Sequence, residues 1–361
     1  MSTTVLRAKA LSTGYRQKKR EWYAVSRNLE LGFRGGEVCA LIGPNGAGKS
    51  TLLRTLAGLQ APMRGEILLH EEPLVRYSRL KLARSLAVVL TGRLHTGRMK
   101  CRSLVSLARY PYTGWLSRGG AEDEEAVERA MDAVGMADLA EAGADELSDG
   151  EFEKVMIARA LAQEPEVMLL DEPAAFLDFA RRVELMHLLH RLSRERGMAV
   201  LVTSHDLDLV LRSADRVVLL SGGGTAADGA PEDLVLSGAL ERVFSSPLVY
   251  FDLEEGSFRA RSERAREEVG LYGRGHLRHW TARALLRLGY EPLQPSDMKQ
   301  RDNRRTIRVT EGKDGPHWEL ELHFRGEPQH GAVRHCSSLY QLLQELSRGC
   351  YMSSSGDKRI R

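Results

Sequence analysis

The chain has 361 residues, 42% of them hydrophobic and 28% charged, with a formal net charge of +3. Its length exceeds one ordinary domain and sets two as the expectation, and its composition is globular, which excludes collagen-like and low-complexity classes. No apolar run approaches the roughly 20 residues that span a bilayer, and the start MSTTVLRAKA lacks the apolar core of a signal peptide. The four cysteines, Cys39, Cys101, Cys336 and Cys350, show no metal-binding spacing and suit a reducing compartment. The charge is uneven: residues 257–361 hold 20 Lys and Arg against 13 Asp and Glu, so the first 256 residues are net acidic. A basic tail can meet nucleic acid, anionic lipid or acidic protein, but a solvated surface is the commoner meaning and no nucleic acid is expected.

In chain order, Val5 to Leu11 reads as a strand that stops at Ser12-Thr13-Gly14. A second strand, Glu37 to Ile42, runs into GPNGAGKST, which is Gly43, Pro44, Asn45, Gly46, Ala47, Gly48, Lys49, Ser50 and Thr51. Residues Thr51 to Ala57 then read as a helix. This fits the phosphate-binding pattern G-x-x-x-x-G-K-[ST] in its strand–loop–helix context. A match by chance somewhere in a chain this long is on the order of 1%, and the flanking elements lower it further. Glycines let the backbone wrap a phosphate chain, so that N–H groups and the helix N-terminus face the anion. Lys49 then bridges the β- and γ-phosphates, and the Ser50 hydroxyl is the candidate Mg²⁺ ligand.

Gly65 to Leu69 and the buried run Leu86 to Leu90 are further strands. From about Thr91 the pattern turns helical and polar, giving a helical subdomain over about 91–155 that includes the acidic helix Ala121 to Met136. Asp149-Gly150 opens another helix, and the strands Val167 to Leu170, Ala199 to Val202 and Arg216 to Leu220 follow, separated by helical segments. Strands alternating with helices predict an α/β fold with a parallel sheet covered on both faces. At the end of one strand stand Asp171 and Glu172. Beside a phosphate loop such a pair supplies a metal-holding carboxylate and then a general base or orienting group for water. His205, after the next strand, is placed to reach a γ-phosphate.

Beyond residue 256 the composition shifts, and a second, small α+β domain is expected over 257–361. It contains a helix Leu277 to Leu288, strands Arg305 to Thr310 and Trp318 to Phe324, and a helix Ser337 to Ser347. The stretch from Met352 to Gly356 and the basic end are expected to lack regular structure. Trp280, Leu285, Leu286, Leu339, Leu342, Leu343 and Leu346 read as core positions of the two helices. His276, His279, His317, His323, His330 and His335 match no metal motif, and no metal is expected there.

Leu147-Ser148-Asp149-Gly150-Glu151 resembles the LSGGQ signature of ATP-binding cassette (ABC) ATPases. With it stand GPNGAGKST, VMLLDEP at 167–173, FLD at Phe176-Leu177-Asp178 and SHD at Ser204 to Asp206, in the order of that family. The resemblance covers roughly residues 1–256 and implies a P-loop NTPase cassette, a RecA-like core with a helical subdomain. It implies a head-to-tail homodimer with ATP and Mg²⁺ at the interface. Each ATP would be held by one phosphate loop and by Ser148, Gly150 and Glu151 of the other copy. It further implies that Tyr15 stacks on adenine, with Trp22 and Tyr23 as weaker candidates. Ser50 and Asp171 would hold the metal, Lys49, Glu172 and His205 serve hydrolysis, and Asp178 acts across the interface.

The chain departs from the family at Asp149, Glu151 and Ala174, and Thr91-Gly92 stands where a lid glutamine is usual. Arg93 and His95 are nearby. The segment Leu104 to Tyr112 resembles the V-x-x-G-R-x-P stretch of iron-siderophore, haem and cobalamin import ATPases, with Ala108 in place of Gly. That branch implies an ATPase on the cytoplasmic side of the membrane, driving a separate integral permease. The permease in turn is served by a periplasmic or extracellular substrate-binding protein. A soluble ABC ATPase acting on nucleic acid or ribosomes, or a non-hydrolysing regulatory subunit, is the alternative.

Overall fold

The computed structural model describes residues 3–16, 22–92, 96–113, 119–253, 255–260, 267–294, 304–312, 315–323 and 332–353. They fall into two units, Met1–Arg259 and Ala260–Arg361. In the first, the strand Val38–Ile42 is buried along its whole length, because it lies inside a six-stranded sheet. Its neighbours are Arg216–Ser221 on one side and Ala199–Thr203 on the other, both parallel to it. Val167–Leu170 and Leu86–Val89 continue the parallel order, and Gly224–Gly229 closes the far edge antiparallel to Arg216–Ser221.

Strand side chains alternate between the faces, so each buried strand feeds two cores. Ala87, Val89, Met168, Leu170, Val200 and Val202 pack under the helices Asp149–Leu161 and Phe179–Arg196. Cys39, Leu41, Leu169, Leu201, Val218 and Leu220 point the other way, against Leu52, Leu53 and Leu56 of the helix Lys49–Leu56. A second, antiparallel sheet caps that side. Its strands Trp22–Arg34, Thr4–Arg16, Arg64–Leu69 and Glu72–Pro73 contribute Leu6, Leu11, Leu31, Phe33 and Leu69.

The expected strand Val5 to Leu11 is thus the middle of a longer one, which continues through Ser12-Thr13-Gly14 by way of register shifts. Trp22–Arg34, Gly224–Gly229 and the short helices Pro231–Leu236 and Ala239–Phe244 were not among the elements legible in the pattern.

The helical subdomain is built from Cys101–Ser106, Tyr110–Thr113, Ala121–Ala133 and Asp149–Leu161. Arg109 fastens these together. Its side chain is only 7% exposed, donates to Asp123 (2.8 Å), Glu164 (3.0 Å) and the Ala162 carbonyl (2.8 Å), and stacks on the Tyr112 ring. Glu153, on the helix Asp149–Leu161, has the opposite condition: one buried carboxylate oxygen has no partner. Burial pushes its pKa up to about 7.

The second unit has its own core. A five-stranded sheet in the order Tyr290–Leu293, Glu267–Tyr272, Arg304–Gly312, Gly315–His323, Ala332–Cys336 begins with two parallel pairings and ends with two antiparallel ones. One face, through Val269, Leu271, Ile307, Val309 and Leu320, meets Leu285, Leu342 and Leu346 of the helices Gly275–Arg287 and Leu339–Ser353. Trp318 donates its indole N–H to the buried Thr281 hydroxyl (2.8 Å). The expected core position Trp280 is corrected: it is 57% exposed, with Arg283 over its ring, because Thr281, Ala284 and Leu285 form the buried stripe of its helix. Three strands were missed here, and Met352 and Ser353, expected to be irregular, end the last helix. His330 and the stretch after Ser353 lie outside the described residues.

Removing a buried cation strands its partners. Arg109→Met is expected to lower the stability of the first unit by about 3 kcal/mol in urea unfolding. Glu153 acts in the reverse sense. Its folded pKa lies above the ordinary carboxylate value, so its contribution is fully present below that value and is lost as pH rises through about 7. Glu153→Gln is therefore expected to stabilise the protein by roughly 2–3 kcal/mol at pH 8 and to change little at pH 4. A constant difference across that range in pH-resolved denaturation would refute the assignment.

Candidate nucleotide site

The phosphate loop leaves the sheet at Ile42 and enters its helix at Gly48. Gly48 has φ 96°, and a Cβ built on it would lie 2.3 Å from Val25 Cγ1, so a side chain is excluded both by backbone and by space. At Gly43 a Cβ would meet the Leu220 carbonyl oxygen at 2.6 Å. No side chain caps the helix Lys49–Leu56, which leaves its first N–H groups for an anion. Lys49 is 5% exposed and folds back over the loop, donating to the carbonyls of Gly43 (2.9 Å) and Pro44 (3.3 Å). Burial lowers its pKa, against the opposite pull of the Glu172 and Asp171 carboxylates.

Parallel pairing brings three strand ends to this loop. Asp171 follows Val167–Leu170, and its buried carboxylate oxygen Oδ1 accepts from Ser50 (3.0 Å) and from Thr203 (2.8 Å). Thr203 also accepts from the backbone N–H of Glu172 at 2.8 Å. Glu172 sits in the left-handed region at φ 51°, a conformation that a non-glycine residue adopts only when its surroundings impose it. His205 Nε2 lies 2.6 Å from Glu172 Oε1. Thr91, at the position of the usual lid glutamine, donates to the Asp171 backbone carbonyl (2.5 Å). Arg93 and His95 lie outside the described residues, as does the side chain of Trp22.

The site thus gathers Lys49, Ser50, Asp171, Glu172 and His205. Serine and aspartate oxygens within 3.0 Å of each other are the hard donor set that suits Mg²⁺. Tyr15 lies on the strand Thr4–Arg16 opposite Tyr23; the rings are 5.3 Å apart, and both are about half exposed.

Ser148, Gly150 and Glu151 form a separate group. Ser148 caps the helix Asp149–Leu161 in a reciprocal box: its N–H and hydroxyl donate to Glu151 (2.9 and 2.6 Å), and the Glu151 N–H reaches back to it (3.4 Å). The Ser148 hydroxyl holds the Glu151 carboxyl below its ordinary pKa. Around Gly150 a Cβ would meet only ordinary contacts, the nearest being Leu177 Cδ2 at 3.7 Å, so packing within the chain does not require glycine there. Among the described residues no hydrogen bond or ion pair joins this group to the phosphate-loop cluster.

Asp178 caps the helix Phe179–Arg196, accepting from the Arg181 N–H (2.9 Å), and its sequence neighbours Phe176 and Phe179 are exposed. Arg182 ties the Leu177 carbonyl (2.7 Å) to Asp206 (2.8 Å), next to His205. Thr203, Arg182 and Val25 escaped the sequence reading. Each acts on a residue distant in sequence, and no motif marks it.

The sequence profile of the ABC transporter family matches residues 26–175, and that of the iron ABC transporter C-terminal domain matches 266–347. The ferric enterobactin transport ATP-binding protein FepC of Escherichia coli is 37% identical over 251 residues, covering 70% of this chain and 91% of that protein. The achromobactin transport ATP-binding protein CbrD of Dickeya dadantii is 37% identical over 242 residues, covering 67% and 88%. The hemin import ATP-binding protein HmuV of Burkholderia thailandensis is 37% identical over 237 residues, covering 61% and 87%. Among solved structures, CbiO1 of Clostridium perfringens, part of an ABC transporter complex, superposes with a TM-score of 0.58 at 27% identity over 66% of this chain and 93% of that one. A bacterial ABC transporter cassette solved as a dimer gives a TM-score of 0.54 at 25% identity, covering 63% and 98%. With this cassette fold and these relatives, the chain belongs to the family of ABC transporter ATP-binding proteins.

Proposed function

We propose that this chain is the ATP-hydrolysing subunit of an ABC importer for a siderophore or haem complex of iron, driving a separate membrane permease. The observation that carries hydrolysis is the placing of Glu172. Its strained backbone turns the carboxylate to His205 at the mouth of the phosphate loop, where a water would attack the γ-phosphate. The N–H groups of Gly43 to Thr51 (Pro44, with no N–H, shaping the turn) and the Lys49 ammonium hold the phosphates, while Tyr15 offers its ring to adenine. Ser50 and Asp171 would hold Mg²⁺, which supplies charge neutralisation at the phosphates. Glu172 orients or deprotonates the water, and His205 contacts the γ-phosphate.

Ser148, Gly150 and Glu151 stand free of this cluster, which supports their use by a second, head-to-tail copy. Gly150, whose absent side chain is not required by packing within the chain, lets a phosphate approach the backbone, and Asp178 would act across the same interface. Closure of such a dimer moves the helical subdomain. A groove lined by Gly58, Leu82, Leu107, Met156 and Gln163 gives the permease a seat beside it. No helix among the described residues is long and apolar enough to cross a membrane. The iron cargo is supported by the printed names of the relatives and by the match over 266–347. Residues 260–361 act as an accessory domain that regulates the cassette or stabilises its dimer.

Phosphate release measured on wild type and Glu172→Gln tests the enzyme: kcat is expected to fall about 10²-fold or more, and indistinguishable rates would remove hydrolysis. Affinity purification from native membranes is expected to recover a permease, with uptake of an iron complex lost in the Glu172→Gln strain. Deleting residues 260–361 is expected to alter dimerisation or ATPase rate; no change in either, nor in transport, would dismiss the accessory role.

A further inference from the structure

We infer that Thr203 is a positioning residue of this centre, setting both the Asp171 carboxylate and the Glu172 backbone with a single hydroxyl. It ends the strand Ala199–Thr203, is fully buried, and pairs with Leu41 of the strand that delivers the phosphate loop. On its other side Val202 is in register with Leu170, so Thr203 comes opposite the Asp171-Glu172 step. A hydroxyl has one donor and two acceptor lone pairs. Thr203 spends the donor on Asp171 Oδ1 and an acceptor on the Glu172 N–H, both at 2.8 Å.

Two consequences follow. Asp171 Oδ1 accepts from Thr203 and from Ser50 together, which fixes the carboxylate plane beside the phosphate-loop helix. Glu172 is held by its amide in the left-handed region at φ 51°, and from there its carboxylate reaches His205 at 2.6 Å. Without the hydroxyl, the Glu172 amide loses the acceptor that anchors this conformation, and the side chain that faces the water is free to swing. Valine keeps the branched shape of Thr203 with a methyl group in place of the hydroxyl; serine keeps the hydroxyl and loses the methyl.

The inference rests on the hydrolytic reading, so wild type and Glu172→Gln accompany the variants. In nucleotide-free protein, amide hydrogen exchange at Glu172 is expected to be about 10-fold faster or more in Thr203→Val and within about 3-fold of wild type in Thr203→Ser. In phosphate release, kcat is expected to fall about 10- to 100-fold in Thr203→Val, with the Mg²⁺ needed for half-maximal rate raised several-fold. ATP binding measured in EDTA is expected to stay within about 3-fold of wild type, since Lys49 and the loop are untouched. Thr203→Ala stands in should the valine variant fail to fold. Wild-type exchange and kcat in Thr203→Val, or equal damage in Thr203→Ser, would overturn the assignment while leaving hydrolysis in place. Wild-type turnover no faster than Glu172→Gln would overturn both.

Discussion

The buried carboxylate of Asp171 is the constraint on which the site depends. A carboxylate only 4% exposed needs hydrogen-bond donors inside the protein, and two hydroxyls from different parts of the fold meet its Oδ1. Ser50 arrives on the helix that follows the phosphate loop, and Thr203 on the neighbouring strand. The carboxylate thereby fixes the loop, the acidic strand end and the His205 loop relative to one another. The parallel sheet makes this possible: its strands end on one side, and ligand sites of open α/β sheets form outside those ends.

The rest of the first unit serves to hold those ends still. Val38–Ile42, Ala199–Thr203 and Val167–Leu170 are buried on both faces, so a register slip would move a whole set of side chains to the wrong core. The antiparallel sheet covers one side of the phosphate-loop helix, and Val25 of that sheet presses on Gly48. The helical subdomain is fastened by Arg109 through charged hydrogen bonds, while Glu153 of the same subdomain leaves a buried oxygen unpaired. These are opposite answers to the same desolvation problem, and only the first stabilises at neutral pH.

The second unit shows why composition is a poor guide to a small domain. Its sheet buries one face and exposes the other, where Arg308 stacks on Tyr272 and Glu319 faces Arg308 and His335. Three of its five strands are short or carry few apolar residues, so alternation is too brief to separate from loop. Trp280 looked interior because tryptophan usually is; its helix turns it outward and stacks Arg283 on it instead.

Gly43 to Thr51 was legible because wrapping a phosphate is local work, done by residues close in sequence whose conformations glycine permits. Ser148 to Glu151 was legible for the same reason, a helix cap being a contact over three residues. The buried strands of the parallel sheet announced themselves as apolar runs bounded by polar residues. Strand order, the second hydroxyl on Asp171 and the left-handed turn at Glu172 were not legible. They arise where Val167–Leu170 and Ala199–Thr203 lie side by side, and no local pattern encodes which strand end will meet which. Sequence alone determined that a phosphate would be bound and which side chains were available; tertiary structure decided how those side chains are aimed, because that depends on register between segments far apart in the chain.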